Sequence, residues 1–201
     1  YYNILCYMLQ PQRIWVVVSF ILVENYTGSL QERNRFHMIN NETYLLYCVL
    51  CYEEGHCRRT QHVLKVYALA KLLGEQEQLS MEDQQILQAA AILHDIAIKY
   101  CKQHCSGDAS QENQQREAPH LVYDFLSKAN YLPSYIPQIT ELVLHHHDYT
   151  GDRNNLLQLL MEADLIINCY EGELSRKQAA SVQRLFQTPT GKELLELWMK
   201  N

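Results

Sequence analysis

The sequence predicts an all-α fold: a compact single-domain helical bundle of about six or seven helices. Three observations carry this prediction. Apolar residues recur at helical spacing through most of the chain, and nowhere do they alternate with period two for long enough to build a sheet. Helix start and stop residues punctuate that pattern at roughly helix-length intervals. At 201 residues and 47% hydrophobic, the chain can bury one sizeable core, and no internal repeat divides it.

Residues 1–37 stand apart, showing no helical period that joins them to the rest of the chain. Their apolar run over 14–23 is too short to span a bilayer and follows Pro11 and Arg13, and no clear signal-peptide pattern surrounds it. The expectation is an extension outside the domain, either upstream sequence read in frame or a peripheral hydrophobic anchor. The domain itself then covers 38–201.

A first helix over 42–54 opens at Asn41 or Glu42 and closes at Gly55. The second, over 58–74, ends on Gly74, a residue suited to a left-handed cap. Ser80 stands three residues before Asp83, a capping-box arrangement that opens the central helix. From Ile86 to Ile98 that helix is apolar nearly all the way round, so it runs through the middle of the fold. The polar stretch over 104–117 reads as a loop and candidate lid. Helices follow over 118–129, 134–146, 154–170 and 175–186, with Pro133 and Pro137 in first-turn positions. A last helix starts near Gly191.

A formal net charge of -6 argues against a nucleic acid polymer as partner, which would need a basic face. Integral membrane association is not expected either, for want of a long apolar segment. The seven cysteines are odd in number and lie in helical surroundings, which fits a reducing cytoplasm better than a disulfide scaffold. Cys48, Cys51, Cys57, Cys101 and Cys105 read as small apolar fillers, with a structural zinc site as the alternative.

The chemistry gathers at His94-Asp95. An ionised carboxylate inside so apolar a helix is costly unless opposite charge lies near, and no Lys or Arg occurs between Met81 and Ile98. A divalent cation would supply that charge, with the adjoining imidazole as a second ligand. His62 lies on an amphipathic helix among Val63, Val66, Tyr67, Leu69, Ala70 and Leu73. Glu162 and Asp164 lie in "NLLQLLMEADLIINCY", with no basic residue between Arg153 and Arg176. One cation could answer these acids together with Asp95.

His62, then His94-Asp95, then Asp164, each on a separate helix, resembles the HD-domain metal-dependent phosphohydrolase superfamily in its small, single-domain bacterial form. The resemblance extends over roughly 42–201 and implies an HD-domain-like bundle. It implies that His62, His94, Asp95 and Asp164 ligate one divalent metal ion (Mn, Fe, Co, Ni or Mg). It also implies hydrolysis of nucleotide-like phosphate mono- or diesters by a metal-bound water, with His94, Asp95 and Lys99 as catalytic residues. The partner implied is a small phosphorylated substrate.

The string "LVLHHHDYTG" resembles the double-histidine segment of two-metal HD proteins, such as the HD-GYP phosphodiesterases and the HD-type dinucleoside tetraphosphate hydrolases. His146 and His147 thereby become candidates for a second metal or for proton transfer. Where those hydrolases carry His-Gly-Pro this chain has Glu117-Ala118-Pro119, so Glu117 takes the histidine's place. His120, nearly one turn on, is a further candidate. The alternative for the run His145-His146-His147 is a solvated helix cap favoured by the dipole.

Arg59 and Lys65 flank His62 at one helical turn on either side, and cations beside such ligands suggest a phosphate. Lys99, four residues past Asp95, resembles the lysine of the HD-GYP string "HDIGK", one residue later and with Ala97 for the glycine. Arg59 and Lys99 are the candidate phosphate contacts. For Lys99 a helix-terminal lysine paired with Asp95 is the alternative. Two other functions stand beside hydrolysis: a mixed-valent di-iron oxygenase of the HD type, and a non-catalytic ligand-sensing HD module.

Overall fold

The computed structural model describes residues 30–151 and 153–200, with side chains from 41 onward. Those residues form α1 (Leu30–Tyr52), α2 (Cys57–Gln76), α3 (Met81–Leu93), α4 (Ala97–His104), α5 (Gln111–Lys128), α6 (Ile136–His145), α7 (Asn155–Tyr170), α8 (Arg176–Val182), a 3-10 turn (Gln183–Leu185) and α9 (Pro189–Lys200). Among the described residues there is no strand, so the all-α prediction holds, with nine α-helices where about six or seven were expected. The chain divides into two units, Tyr1–Ile39 and Asn40–Asn201, and the second holds all of α2 to α9. The extension expected over 1–37 falls mostly on residues 1–29, outside those described. No helix among the described residues is long and apolar enough to cross a membrane.

α3 is the axis of the bundle. Every residue from Ile86 to Leu93 is buried, as a helix apolar on all sides requires. α2, α6 and α7 pack around it, α5 packs on α4 and α6, and α9 packs on α7. Leu73, Leu87, Ile92, Ile139, Leu142, Leu159 and Leu160 fill the main core. A smaller cluster of Met161, Ile166, Phe186 and Leu195 lies on the other side of α7, so that helix too is buried on two faces.

Glu162 faces the smaller cluster. It is wholly buried and accepts hydrogen bonds from Gln158 Nε2 at 2.6 Å, Gln187 N at 2.6 Å, Thr188 N at 3.1 Å and the Thr188 hydroxyl. Its charge is met by donors, which corrects the expectation that one cation answers Glu162 together with Asp95. Gly191 belongs to the same arrangement: a Cβ there would stand 2.0 Å from Glu162 Oε2.

Other elements differ from expectation for local reasons. α1 begins earlier than 42, since neither Gly nor Pro interrupts the chain from Leu30 to Tyr52. Gly74 is inside α2 and not a left-handed cap; a Cβ there would meet Gln84 Oε1 at 2.2 Å, and the left-handed residue is Gln78 at φ 58°. Residues 111–117 are helical and the loop shrinks to 105–110. Asp108 closes that loop by accepting from Ser110 N at 2.9 Å and Asn113 Nδ2 at 2.8 Å, and the polar side chains of 111–117 mostly face solvent. Cys48 and Cys101 are buried fillers, whereas Cys51 and Cys57 are exposed. No cysteine joins a group able to hold a metal among the described residues.

Candidate metal centre

The central apolar helix does not run unbroken through His94-Asp95. Its hydrogen bonding tightens there, with Ile96 N donating to Leu93 O at 3.0 Å and Ile98 N to Asp95 O at 3.0 Å, before α4 resumes. α6 ends in the same way at His146, where Asp148 N reaches His145 O at 2.8 Å. A helix end leaves carbonyls without partners, and each histidine takes one of its own. His94 Nδ1 lies 2.8 Å from Ala91 O, and His146 Nδ1 lies 2.7 Å from Val143 O. Because a carbonyl only accepts, each Nδ1 carries the proton, and each Nε2 presents a bare lone pair to the centre when the ring is neutral.

His62 comes from the buried face of α2 and Asp164 from the middle of α7. His62 Nε2 lies 3.1 Å from His94 Nε2, 3.2 Å from Asp164 Oδ1 and 3.7 Å from Asp95 Oδ2. His94 Nε2 lies 3.5 Å from Asp95 Oδ2 and 3.9 Å from Asp164 Oδ1. His62, His94 and Asp95 offer ligand atoms all within 4.8 Å of one another. The other carboxylate oxygens face the histidine run: His146 Nε2 is 3.8 Å from Asp95 Oδ1, and His147 Nε2 is 3.6 Å from Asp164 Oδ2.

This donor set is short of positive charge. Burial opposes a charge on His62, but the hydrogen bond with Asp164 and the charges of Asp164 and Asp95, then Glu171, hold its pKa up at about 9. Burial pushes His94 down against the pull of the same two carboxylates. Burial would raise Asp95 and Asp164, yet the surrounding imidazoles hold both well below the usual carboxylate range, chiefly His94 and His146 for Asp95, and His147 and His62 for Asp164. Asp164 Oδ2 and His146 Nε2 are buried with no hydrogen-bond partner. Orphaned lone pairs beside two buried carboxylates are what a divalent cation satisfies, so the residues fit such an ion.

Glu171 and Asn168, which sequence reasoning did not single out, orient this set. His62 Nδ1 lies 2.9 Å from Glu171 Oε2, and Asn168 Nδ2 donates to Asp164 Oδ1 at 3.0 Å. A signal for both was present, because residues 164, 168 and 171 share one stripe of a helix.

A cavity of about 540 Å³ opens onto His62, Asp95 and Asp164 and is also lined by Glu53, Arg58, Arg59, Lys102 and His147. Arg59 thus lies at the cavity, its Nε bonded to the buried Glu53. Lys65 is taken by Glu171 at 2.8 Å. Lys99 does not line the cavity, which corrects its assignment as a phosphate contact and catalytic residue. Its ammonium donates to Tyr52 O and, at 2.7 Å, to Glu54, and sits 4.8 Å over the Tyr52 ring, so it ties α4 to the end of α1. Glu117 and His120 are not brought to the centre either. Glu117 pairs with Arg116 at 2.8 Å and approaches His120 at 3.9 Å, and the His120 ring packs edge-on against Tyr100 at 5.1 Å. Their side of α5 faces α4 and solvent.

A family model for the HD domain matches residues 59–169, a span that contains His62, His94, Asp95 and Asp164. No curated protein and no solved structure matches the chain significantly. With the matched span covering more than half of its length, the chain belongs to the HD domain family.

Proposed function

We propose that this protein is a metal-dependent phosphohydrolase acting on a small phosphorylated substrate, a nucleotide-like mono- or diester. The observation that carries the reading is the meeting of His62, His94, Asp95 and Asp164, from separate stretches of chain, beside an open cavity. Membership of the HD domain family supports it, since that superfamily is one of metal-dependent phosphohydrolases.

In this reading those four side chains hold a divalent cation of the manganese, iron, cobalt, nickel or magnesium kind. When bound, the ion supplies Lewis acidity toward water and toward a phosphoryl oxygen. Asp95 turns Oδ2 to His62 and His94 and Oδ1 to His146. His147, which lines the cavity with Nε2 3.6 Å from Asp164 Oδ2, then takes the proton of the attacking water and returns it to the departing alkoxide. Arg59, pinned by Glu53, offers its remaining guanidinium N–H groups to the phosphoryl oxygens. Alternatively to proton transfer, His146 and His147 are the candidate ligands of a second ion, facing Asp95 Oδ1 and Asp164 Oδ2. The proposal involves no nucleic acid polymer and no integral membrane association. The exposed thiols of Cys51 and Cys57 support a reducing compartment, and in this reading the protein acts in the cytoplasm.

The test joins elemental analysis of anaerobically purified protein to a phosphoester panel, with oxygen uptake followed in parallel. The expected outcome is bound metal together with phosphoester turnover that chelation removes and added metal restores. Oxygen consumption without phosphoester turnover would overturn the reading in favour of an oxygenase, and ligand binding without turnover in favour of a sensing module.

A further inference from the structure

We infer that the centre is built for esters bearing a single phosphoryl group on a neutral, partly apolar alcohol, and that it discriminates against chains of phosphates. The inference rests on the phosphohydrolase reading and adds to it the class of ester.

It follows from how charge is distributed along the cavity. Arg58 is paired with Glu173, and Arg59 with Glu53. Glu171 is taken by Lys65 and His62. Asp95 and Asp164 balance one divalent cation. Lys102 makes no ion pair among the described residues, so its charge alone is left unbalanced among the lysine, arginine and carboxylate side chains of the wall. Arg59 cannot easily change partner, because Glu53 is 3% exposed and its withdrawal would strand an ionised carboxylate away from water.

A nucleoside triphosphate carries about four negative charges, and beyond the centre only Lys102 among the wall's cations is left without a carboxylate partner to meet them. Sites that hold phosphate chains surround them with unpaired cations or with the backbone of glycine-rich loops. Among the described residues no glycine lines this cavity. A single phosphoryl group fits better: an ion held by the four ligands, with the Arg59 N–H groups that Glu53 leaves free, would receive it, and Lys102 draws it in. Lys102 lies on α4, seven residues beyond Asp95, and lines the same cavity. The remaining wall suits an uncharged leaving group, with Val49, Ile96, Ile98, Leu165 and Leu174 on its apolar side and Tyr149 beside His147 at 6.4 Å between rings.

The experiment uses the full chain loaded with Mn²⁺ at constant free metal. It measures kcat/KM for a nucleoside monophosphate and for the triphosphate of the same nucleoside, with tripolyphosphate as a competing ligand. The monophosphate should be favoured by about tenfold or more, and tripolyphosphate should inhibit poorly. Glu173→Gln should move the preference toward the triphosphate several-fold, and Lys102→Glu should lower kcat/KM for the monophosphate. Preference for the triphosphate overturns the inference while leaving the phosphohydrolase reading intact. So does a selectivity that Glu173→Gln, which releases Arg58 from its ion pair, leaves unchanged, since it would then come from shape. Absence of turnover on every phosphoester overturns both together.

Discussion

Glu171 lies 2.9 Å from Nδ1 of His62, and its second oxygen holds Lys65 at 2.8 Å. His94 and His146 give their Nδ1 protons to helix carbonyls, whereas His62 has a carboxylate behind it. A carboxylate in that position fixes the tautomer and raises the basicity of the coordinating nitrogen. Residues 62 and 171 are 109 apart in the chain, and only the packing of α2 against α7 joins them.

Glu171→Gln keeps the shape and removes the charge. Metal affinity should fall about 10–100-fold, as loss of such an outer partner generally does. Competition against a chelator reads that change directly. Unaltered helical circular dichroism and an unaltered affinity would show that Glu171 does not act through His62.

Replacing His94 and Asp95 together by Ala removes two of the four converging ligands. The double variant should lose bound metal and all phosphoester turnover while remaining folded. Turnover that survives in it would place the chemistry elsewhere in the molecule.

Lys99→Met tests the reassignment of that lysine. Its buried ammonium donates to Tyr52 O, and losing the donor should cost about 1–3 kcal/mol of stability. Chemical denaturation reads the loss. Metal content and KM should stay as they were, and a large rise in KM would restore Lys99 as a substrate contact.

Gly191→Ala places a methyl group 2.0 Å from Glu162 Oε2, against a carboxylate already committed to the 187–188 turn. Overpacking of this kind should cost about 1–3 kcal/mol and lower Tm by several degrees. Metal affinity of the folded fraction should not move, because Glu162 faces away from the centre. An unchanged Tm would show that the contact relaxes freely.

Much of the fold could be read in advance, since helical spacing and punctuation are local properties. Ser80 caps α3 by accepting from Asp83 N at 3.0 Å, and Asn154 caps α7 by accepting from Leu157 N at 2.8 Å. His62, His94, Asp95 and Asp164 were legible too, because a charged or coordinating group on an apolar helix face stands out against its neighbours. The polar run at 111–117 misled, since a helix at the edge of a bundle needs few apolar residues on its first turns.

The amino-acid order by itself determined which stretches coil and which buried charges demand an answer. Only the tertiary structure decided what that answer is in each case. Glu162 and Asp164 are two residues apart on one helix, yet the first is met by backbone donors of the 187–188 turn and the second by imidazoles from α2 and the end of α6. Lys99 turned to the end of α1, while Lys102 reached the cavity. The physical reason is that the energy of a buried charge depends on groups within a few ångströms, and in a helical bundle most of those arrive from distant parts of the chain.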